Sequence, residues 1–137
     1  MTEILLDAGP LVAYLDASER MHGWAVDQWR RLPPPLIICE PVFTEAVFLL
    51  REHDLSLEPL WELVRRGVLK FDFELKQDFE TVAMLMSRYA NLPMDLADAC
   101  LVRMTETRRD VRVFTLDSDF KIYRRHRRQL IPLIFPD

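Results

Sequence analysis

Short apolar runs alternate with amphipathic stretches along this chain, and few architectures accommodate that order. Glu3 to Leu6 reads as a brief strand ending at Asp7, and Pro10 suits the first turn of a helix running through Leu15. Met21 to Leu32 reads as a second helix, halted by Pro33 to Pro35, and Leu36 to Cys39 as a continuous apolar strand. Pro41 opens a third helix, with Val42, Ala46 and Leu49 on one face. Ser56 caps a fourth helix that reaches Arg66 and ends at Gly67. Leu69 to Phe73 alternates like a strand, and Leu75 to Tyr89 carries Phe79, Val82, Ala83 and Met86 at helical spacing. The spacing then predicts a helix from about Met94 to Thr107, a strand over Val111 to Leu116, a short helix over Phe120 to Arg125 and a last strand over Ile131 to Phe135. Strands separated by helices imply a parallel sheet covered on both faces. With no internal repeat or low-complexity segment, residues 1–137 read as one α/β domain.

Composition narrows the function. Half of the 137 residues are hydrophobic and 29% are charged, as in an ordinary globular chain able to bury a core. No apolar run approaches the ~20 residues that span a bilayer, and MTEILLD lacks the basic start and apolar stretch of a signal peptide. Cys39 and Cys100 form no metal or redox spacing, which fits reduced, buried thiols in a cytoplasm. The net charge of −4 excludes a blanket electrostatic affinity for nucleic acid but leaves room for a local basic patch. Three scattered glycines exclude the glycine loops that cradle phosphates. His22, His53 and His126 lie in unremarkable polar settings, with no Ser–His or Cys–His pairing evident from spacing.

The acids carry the chemistry. Asp7 follows ILL and Asp117 follows VFTL, each at a strand's carboxyl end, the edge where open parallel sheets bind ligands. Glu45 lies one turn into the helix after the second strand, and Asp98 in the first turns of its own helix. Four carboxylates from four segments brought together unpaired would repel strongly and raise one another's pKa values. A hard divalent cation, Mg²⁺ or Mn²⁺, resolves that conflict through oxygen ligation. Plainer readings stand beside this one: Asp7 and Asp117 as turn residues or helix caps, Glu45 as a helix-surface acid, and Asp95 as an N-cap.

The stretch NLPMDLADACLVRM places two aspartates three residues apart. Met94, Ala97, Leu101 and Met104 define an apolar arc at about 100° per residue, with Asp98 at its edge and Asp95 about 60° beyond. Asp98 is therefore the candidate ligand, with Asp95 the cap or an outer helper.

Four segments, LLDAGPLVAYLD, PVFTEAVFLL, PMDLADACLV and VFTLDSDF, resemble in order and separation the four motifs of PIN domains, most closely those of VapC-like toxins of bacterial toxin–antitoxin pairs. The resemblance covers nearly the whole chain. It implies a three-layer α/β/α sandwich around a mostly parallel sheet and metal-dependent cleavage of RNA. Asp7, Glu45, Asp98 and Asp117 match the acidic quartet, Thr115 the hydroxyl residue two before the last acid, and Asp119 an additional acid two after it; Asp95 belongs to a common variant of the third motif. On that basis Asp7 and Asp98 are the principal ligands of Mg²⁺ (or Mn²⁺), Glu45 and Asp117 complete the shell, and Thr115 orients a ligand or a water.

The run KIYRRHRR supplies Lys121, Arg124, Arg125, Arg127 and Arg128 as candidate RNA contacts, with Tyr123 and His126 available to stack on bases. The plainer reading is a solvated basic helix end. Arg103, Arg108, Arg109 and Arg112 form a second candidate patch. Large apolar residues crowd Pro41 to Glu52 and Leu57 to Val64, and Trp24 and Trp29 lie on an earlier helix, more than a small domain readily buries. With the resemblance, this implies a homodimer that receives a cognate antitoxin segment in a groove beside Glu45.

Rival functions meet specific obstacles. A dehalogenase-type phosphotransferase needs a second aspartate two residues after the first, where Gly9 stands. A receiver domain needs adjacent acids after the first strand. A PIN-fold nuclease acting on DNA, or a non-catalytic interaction module, remains the alternative to RNA cleavage.

Overall fold

A computed structural model describes residues 1–137. Its centre is a five-stranded parallel sheet of β1 (Glu3–Leu6), β2 (Leu36–Ile38), β3 (Leu69–Phe71), β4 (Val111–Phe114) and β7 (Leu133–Ile134), in the order β3-β2-β1-β4-β7. The chain starts in the middle, winds outward through β2 and β3, then crosses to β4 on the other side. Leu5 stands opposite Ile37 on one neighbour and Val113 on the other. The reversal of winding between β1 and β4 makes their carboxyl ends a switch point, where a crevice opens above the sheet.

Six helices flank this sheet to give the three-layer α/β/α sandwich: α1 (Ala8–Leu15), α2 (His22–Arg31), α3 (Glu40–Glu52), α4 (Glu58–Arg65), α5 (Leu75–Arg88) and α6 (Leu96–Glu106). α1 packs on α2 and α3, α5 packs on α6, and α6 lies against α3, β1 and β4. The strands are short and apolar because both sheet faces are covered: Leu5, Leu6, Ile38, Val113 and Phe114 have no accessible surface. None of the helices is long and apolar enough to cross a membrane.

The aromatic residues near the start pack inward. Trp29 stacks on Tyr14 with ring centroids 4.0 Å apart, and Trp24 meets Phe114 edge-on at 5.5 Å. The expected excess of exposed apolar surface thus excludes both tryptophans and centres on Phe48, 60% exposed on α3.

The largest departure from expectation lies in the basic run. Instead of a helix over Phe120 to Arg125, a 3-10 turn over Ser118–Lys121 leads into a two-stranded antiparallel hairpin of β5 (Arg124–Arg125) and β6 (Gln129–Leu130). His126 and Arg127 adopt positive φ values of 50° and 70°, which reverse the chain. Tyr123 and Arg125 are drawn into the protein interior, an arrangement that a surface helix would not permit.

Candidate active site

Asp7 is set at the end of β1 by the sheet itself. Its N–H donates to the Phe114 carbonyl at 3.0 Å, the last rung between β1 and β4. Its Oδ1 accepts from the Ala8 N–H at 2.8 Å and so caps α1, and its Oδ2 accepts from the Thr115 hydroxyl at 2.7 Å. Thr115, fully buried, also accepts the Asp117 N–H at 3.0 Å, so one hydroxyl ties the acids that follow β1 and β4. Asp117 in turn caps the 3-10 turn through the Asp119 N–H at 2.9 Å.

On α6, Asp95 is the N-cap, accepting the Asp98 N–H at 2.8 Å, and its side chain is exposed. Asp98 is 8% exposed and accepts the Tyr123 hydroxyl at 2.9 Å. The sequence-based split of the two aspartates matches their placement: Met94, Ala97, Leu101 and Met104 are buried, with Asp98 at their margin and Asp95 outside. Glu45 projects from α3, exposed.

Asp7, Glu45, Asp95, Asp98 and Asp117 line one small cleft of about 230 Å³, with Gly9 and Leu116 completing it. A Cβ at Gly9 would stand 3.3 Å from Leu116 Cβ, so glycine keeps α1 close to the β4 end here. Asp7, Asp95 and Asp117 thus begin helices, as the cap readings have it, and also line this cleft. Asp119 is not part of its wall.

None of the nine ion pairs in the molecule involves these five acids. Burial, reinforced by the charges of Glu45 and Asp117, pushes Asp7 up to about 6 against the opposing hydrogen bonds from Thr115 and Ala8. Burial and the charges of Asp95 and Asp7 push Asp98 up to about 8, with the Tyr123 hydrogen bond opposing. Glu45 is raised by burial, then by Asp95 and Asp117. Oxygen-only donors with uncompensated charge are the chemistry a hard divalent cation takes, although no three of these donor oxygens lie within 4.8 Å of one another.

The basic residues are less available than their run implies. Arg125 is buried, and its Nη2 donates to the carbonyls of Thr105 and Arg108, so it cannot reach phosphate. Arg124 Nη1 donates to the carbonyls of Lys121, Ile122 and Tyr123. Tyr123 has no accessible surface and cannot stack on a base. Lys121, Arg127 and Arg128 remain exposed; Lys121 lies 4.3 Å from the Phe135 ring centroid, and Arg127 borders a separate depression with Arg88. In the second patch, Arg103 pairs with Asp78 at 2.7 Å, and Arg108 with Glu3 and Asp72. Both are spent on neighbouring acids. Reading the sequence missed Tyr123 as the partner of Asp98; the only available signal was an apolar ring inside a basic run.

A parallel sheet ordered 3-2-1-4-7 between helices, with acids at the carboxyl ends of β1 and β4, defines a PIN-like α/β/α domain. No family model matches the sequence, and no curated protein does. Among solved structures, Mycobacterium tuberculosis VapC20, described as a sarcin–ricin loop cleaving toxin, shares the fold with a TM-score of 0.77 and 18% identity over 88% of this chain and 94% of that one.

Proposed function

We propose that this chain is an endoribonuclease dependent on Mg²⁺ or Mn²⁺, a PIN-domain toxin of the VapC kind. One observation carries the reading: five carboxylates share a cleft at the sheet's switch point with no cation paired to any of them. The likeness of fold to a toxin that cleaves the sarcin–ricin loop supports RNA as the substrate class.

Asp7 and Asp98 are assigned as the principal metal ligands, with Glu45 and Asp117 completing the shell. Bound Mg²⁺ or Mn²⁺ supplies the positive charge and Lewis acidity that phosphodiester hydrolysis needs at neutral pH. Thr115 holds Asp7 through Oδ2 and Asp117 through its N–H, fixing the two against each other. Tyr123 holds Asp98 through Oδ2 and favours its charged form. Asp95 orients the first turn of α6 and adds negative charge to the cleft. Lys121, Arg127 and Arg128 are the exposed cations of the basic run available to phosphates.

Beside the cleft, and sharing Glu45 and Asp95 with it, runs a larger groove of about 880 Å³ floored by Phe48, Phe73 and Leu96. We assign it to a cognate antitoxin segment, with the toxin itself a homodimer in a cytoplasm where Cys39 and Cys100 stay reduced. The test is cleavage of matched single-stranded RNA and DNA, and of a sarcin–ricin stem-loop, with Mn²⁺ or EDTA. RNA cleavage that EDTA stops and Asp98→Asn abolishes is the expected result. Preferential DNA cleavage would replace RNA by DNA as substrate. Loss of no activity in Asp98→Asn would remove the metal site. Light scattering at micromolar concentration tests the dimer, and a concentration-independent monomer mass would discard it.

A further inference from the structure

A second cluster of possible metal ligands lies at the far end of α1. Asp16, the C-cap of α1, Glu19 in the turn that follows, and His53, the C-cap of α3, place one donor atom each within 4.8 Å of the others. An eight-residue helix spans about 12 Å, so this cluster is well separated from Asp7 at the helix's other end.

Asp16 is not an ordinary surface acid. Its side chain is 4% accessible, its Oδ1 accepts both the N–H and the hydroxyl of Ser18, and its Oδ2 is buried with no hydrogen-bond partner. That orphaned oxygen faces His53 Nδ1 at 3.5 Å. The Ser18 hydrogen bonds hold Asp16 below the ordinary carboxylate range, which keeps it anionic at neutral pH. A carboxylate at a helix C-terminus meets the negative end of the helix dipole, and here α1 and α3 both end at the cluster. A buried anion in such a field, with one oxygen lacking a hydrogen bond, is stabilised by a cation at that oxygen.

We propose that Asp16, Glu19 and His53 form a site for a borderline divalent cation of the Zn²⁺ class. The ligand chemistry separates it from the oxygen-only cleft. One imidazole nitrogen with two carboxylates suits Zn²⁺ or Co²⁺ over Mg²⁺. Two ligands at about 2.0–2.1 Å from a tetrahedral Zn²⁺ stand about 3.3 Å apart, close to the Asp16–His53 separation. Exposed His53 and half-buried Glu19 leave the fourth position to solvent. His22 donates its Nδ1–H to the Ala13 carbonyl at 2.7 Å and lies outside the group of donors within 4.8 Å of one another. The ion would join the turn after α1 to the end of α3, and the site does not depend on what the acidic cleft does.

The experiment uses the full chain carrying Asp7→Asn and Asp98→Asn, which silences the cleft, titrated with ZnCl₂ by calorimetry and with Co²⁺ by visible absorption. One Zn²⁺ per chain and Co²⁺ bands of a low-coordinate nitrogen–oxygen site are expected. Adding His53→Ala, or separately Glu19→Gln, should weaken Zn²⁺ binding by more than the roughly 10- to 100-fold that loss of an outer-shell partner costs. Circular dichroism of each variant reports whether the fold is retained; both changed side chains reach solvent. Absence of Zn²⁺ binding, or undiminished binding in a folded His53→Ala chain, overturns the site and leaves an Asp16–His53 ion pair.

Discussion

Tyr123 donates its phenolic hydrogen to Asp98 Oδ2 at 2.9 Å, from a position with no accessible surface. A residue followed directly by two arginines in sequence therefore acts inward. It lies edge-on to Tyr89 and Phe120, each 5.1 Å away between ring centroids, so its hydroxyl has little freedom to turn from Asp98. Tyr123→Phe keeps the packing and removes that hydrogen bond. Asp98 should then be harder to ionise, the apparent Mg²⁺ affinity should fall roughly 10- to 100-fold, and the acid limb of the pH–rate profile should move upward. Metal titrations of cleavage at several pH values check this; an unchanged affinity and an unmoved limb would leave Tyr123 a packing residue.

Asp98→Asn should abolish cleavage, whereas Asp95→Asn should retain it within the same order of magnitude. Asn caps helices as well as Asp, so the Asp95 hydrogen bond to the Asp98 N–H survives the second change. Loss of the Asp95 charge also removes the foremost charge raising Asp98, so the pH at which activity appears should shift down. Equal loss in both variants, each folded by circular dichroism, contradicts the division of roles.

The metal-free protein should lose stability as pH rises. Burial and neighbouring charge raise Asp7 to about 6 and Asp98 to about 8, while both carboxyls titrate near ~4 in an unfolded chain. The native state then holds more protons than the unfolded state across that interval, so the stabilising contribution is complete below pH ~4 and is lost as pH climbs to about 8. Melting temperatures in EDTA should decline from pH 5 to 9, and Asp98→Asn should melt higher than the parent at neutral pH. A flat profile would mean that the acids do not repel as their placement requires.

Thr115→Val preserves shape and removes one hydroxyl that serves both Asp7 and Asp117. The part-buried Asp117 N–H contact and one buried Asp7 contact disappear together, at a cost of about 1–3 kcal/mol. Cleavage should fall by roughly 10- to 100-fold through misplaced ligands. Thr115→Ser, which keeps the hydroxyl, should recover most of the activity; failure of Ser to do so would point to lost packing as the cause.

The arginines of the basic run should divide by burial. Arg125→Ala leaves the Thr105 and Arg108 carbonyls without their donor and should destabilise by about 2–4 kcal/mol. Arg127→Glu with Arg128→Glu should leave the melting temperature nearly unchanged, weaken RNA binding and flatten its salt dependence. Equal melting temperatures for the buried and exposed variants would contradict the placement of Arg125.

Much of this architecture is legible in the residues because strands covered on both faces leave continuous apolar runs. ILL before Asp7 and VFTL before Asp117 locate both strand ends to within two residues. The 3.6-residue period places Asp98 at the core margin for the same reason. The hairpin after Lys121 is not legible, since it depends on two non-glycine residues at positive φ and on backbone carbonyls of α6 and the segment after it that accept Arg125. His53 is equally opaque: only the packing of α3 on α1 brings it to Asp16, and no local spacing records that contact. Long-range partners for charged groups are the part that sequence periodicity does not encode.

Three of the cleft's aspartates also start helices, and each gives a carboxylate oxygen to a backbone N–H within three residues. Their positions are settled when those helices form, so little side-chain freedom is left to lose when an ion arrives. On the proposed metal-dependent reading, ion affinity and local helix order are therefore thermodynamically linked. Mild denaturant that frays the start of α1 or α6 should empty the cleft while the sheet beneath it is still intact, and a bound ion should slow amide exchange first at Ala8 and Asp98.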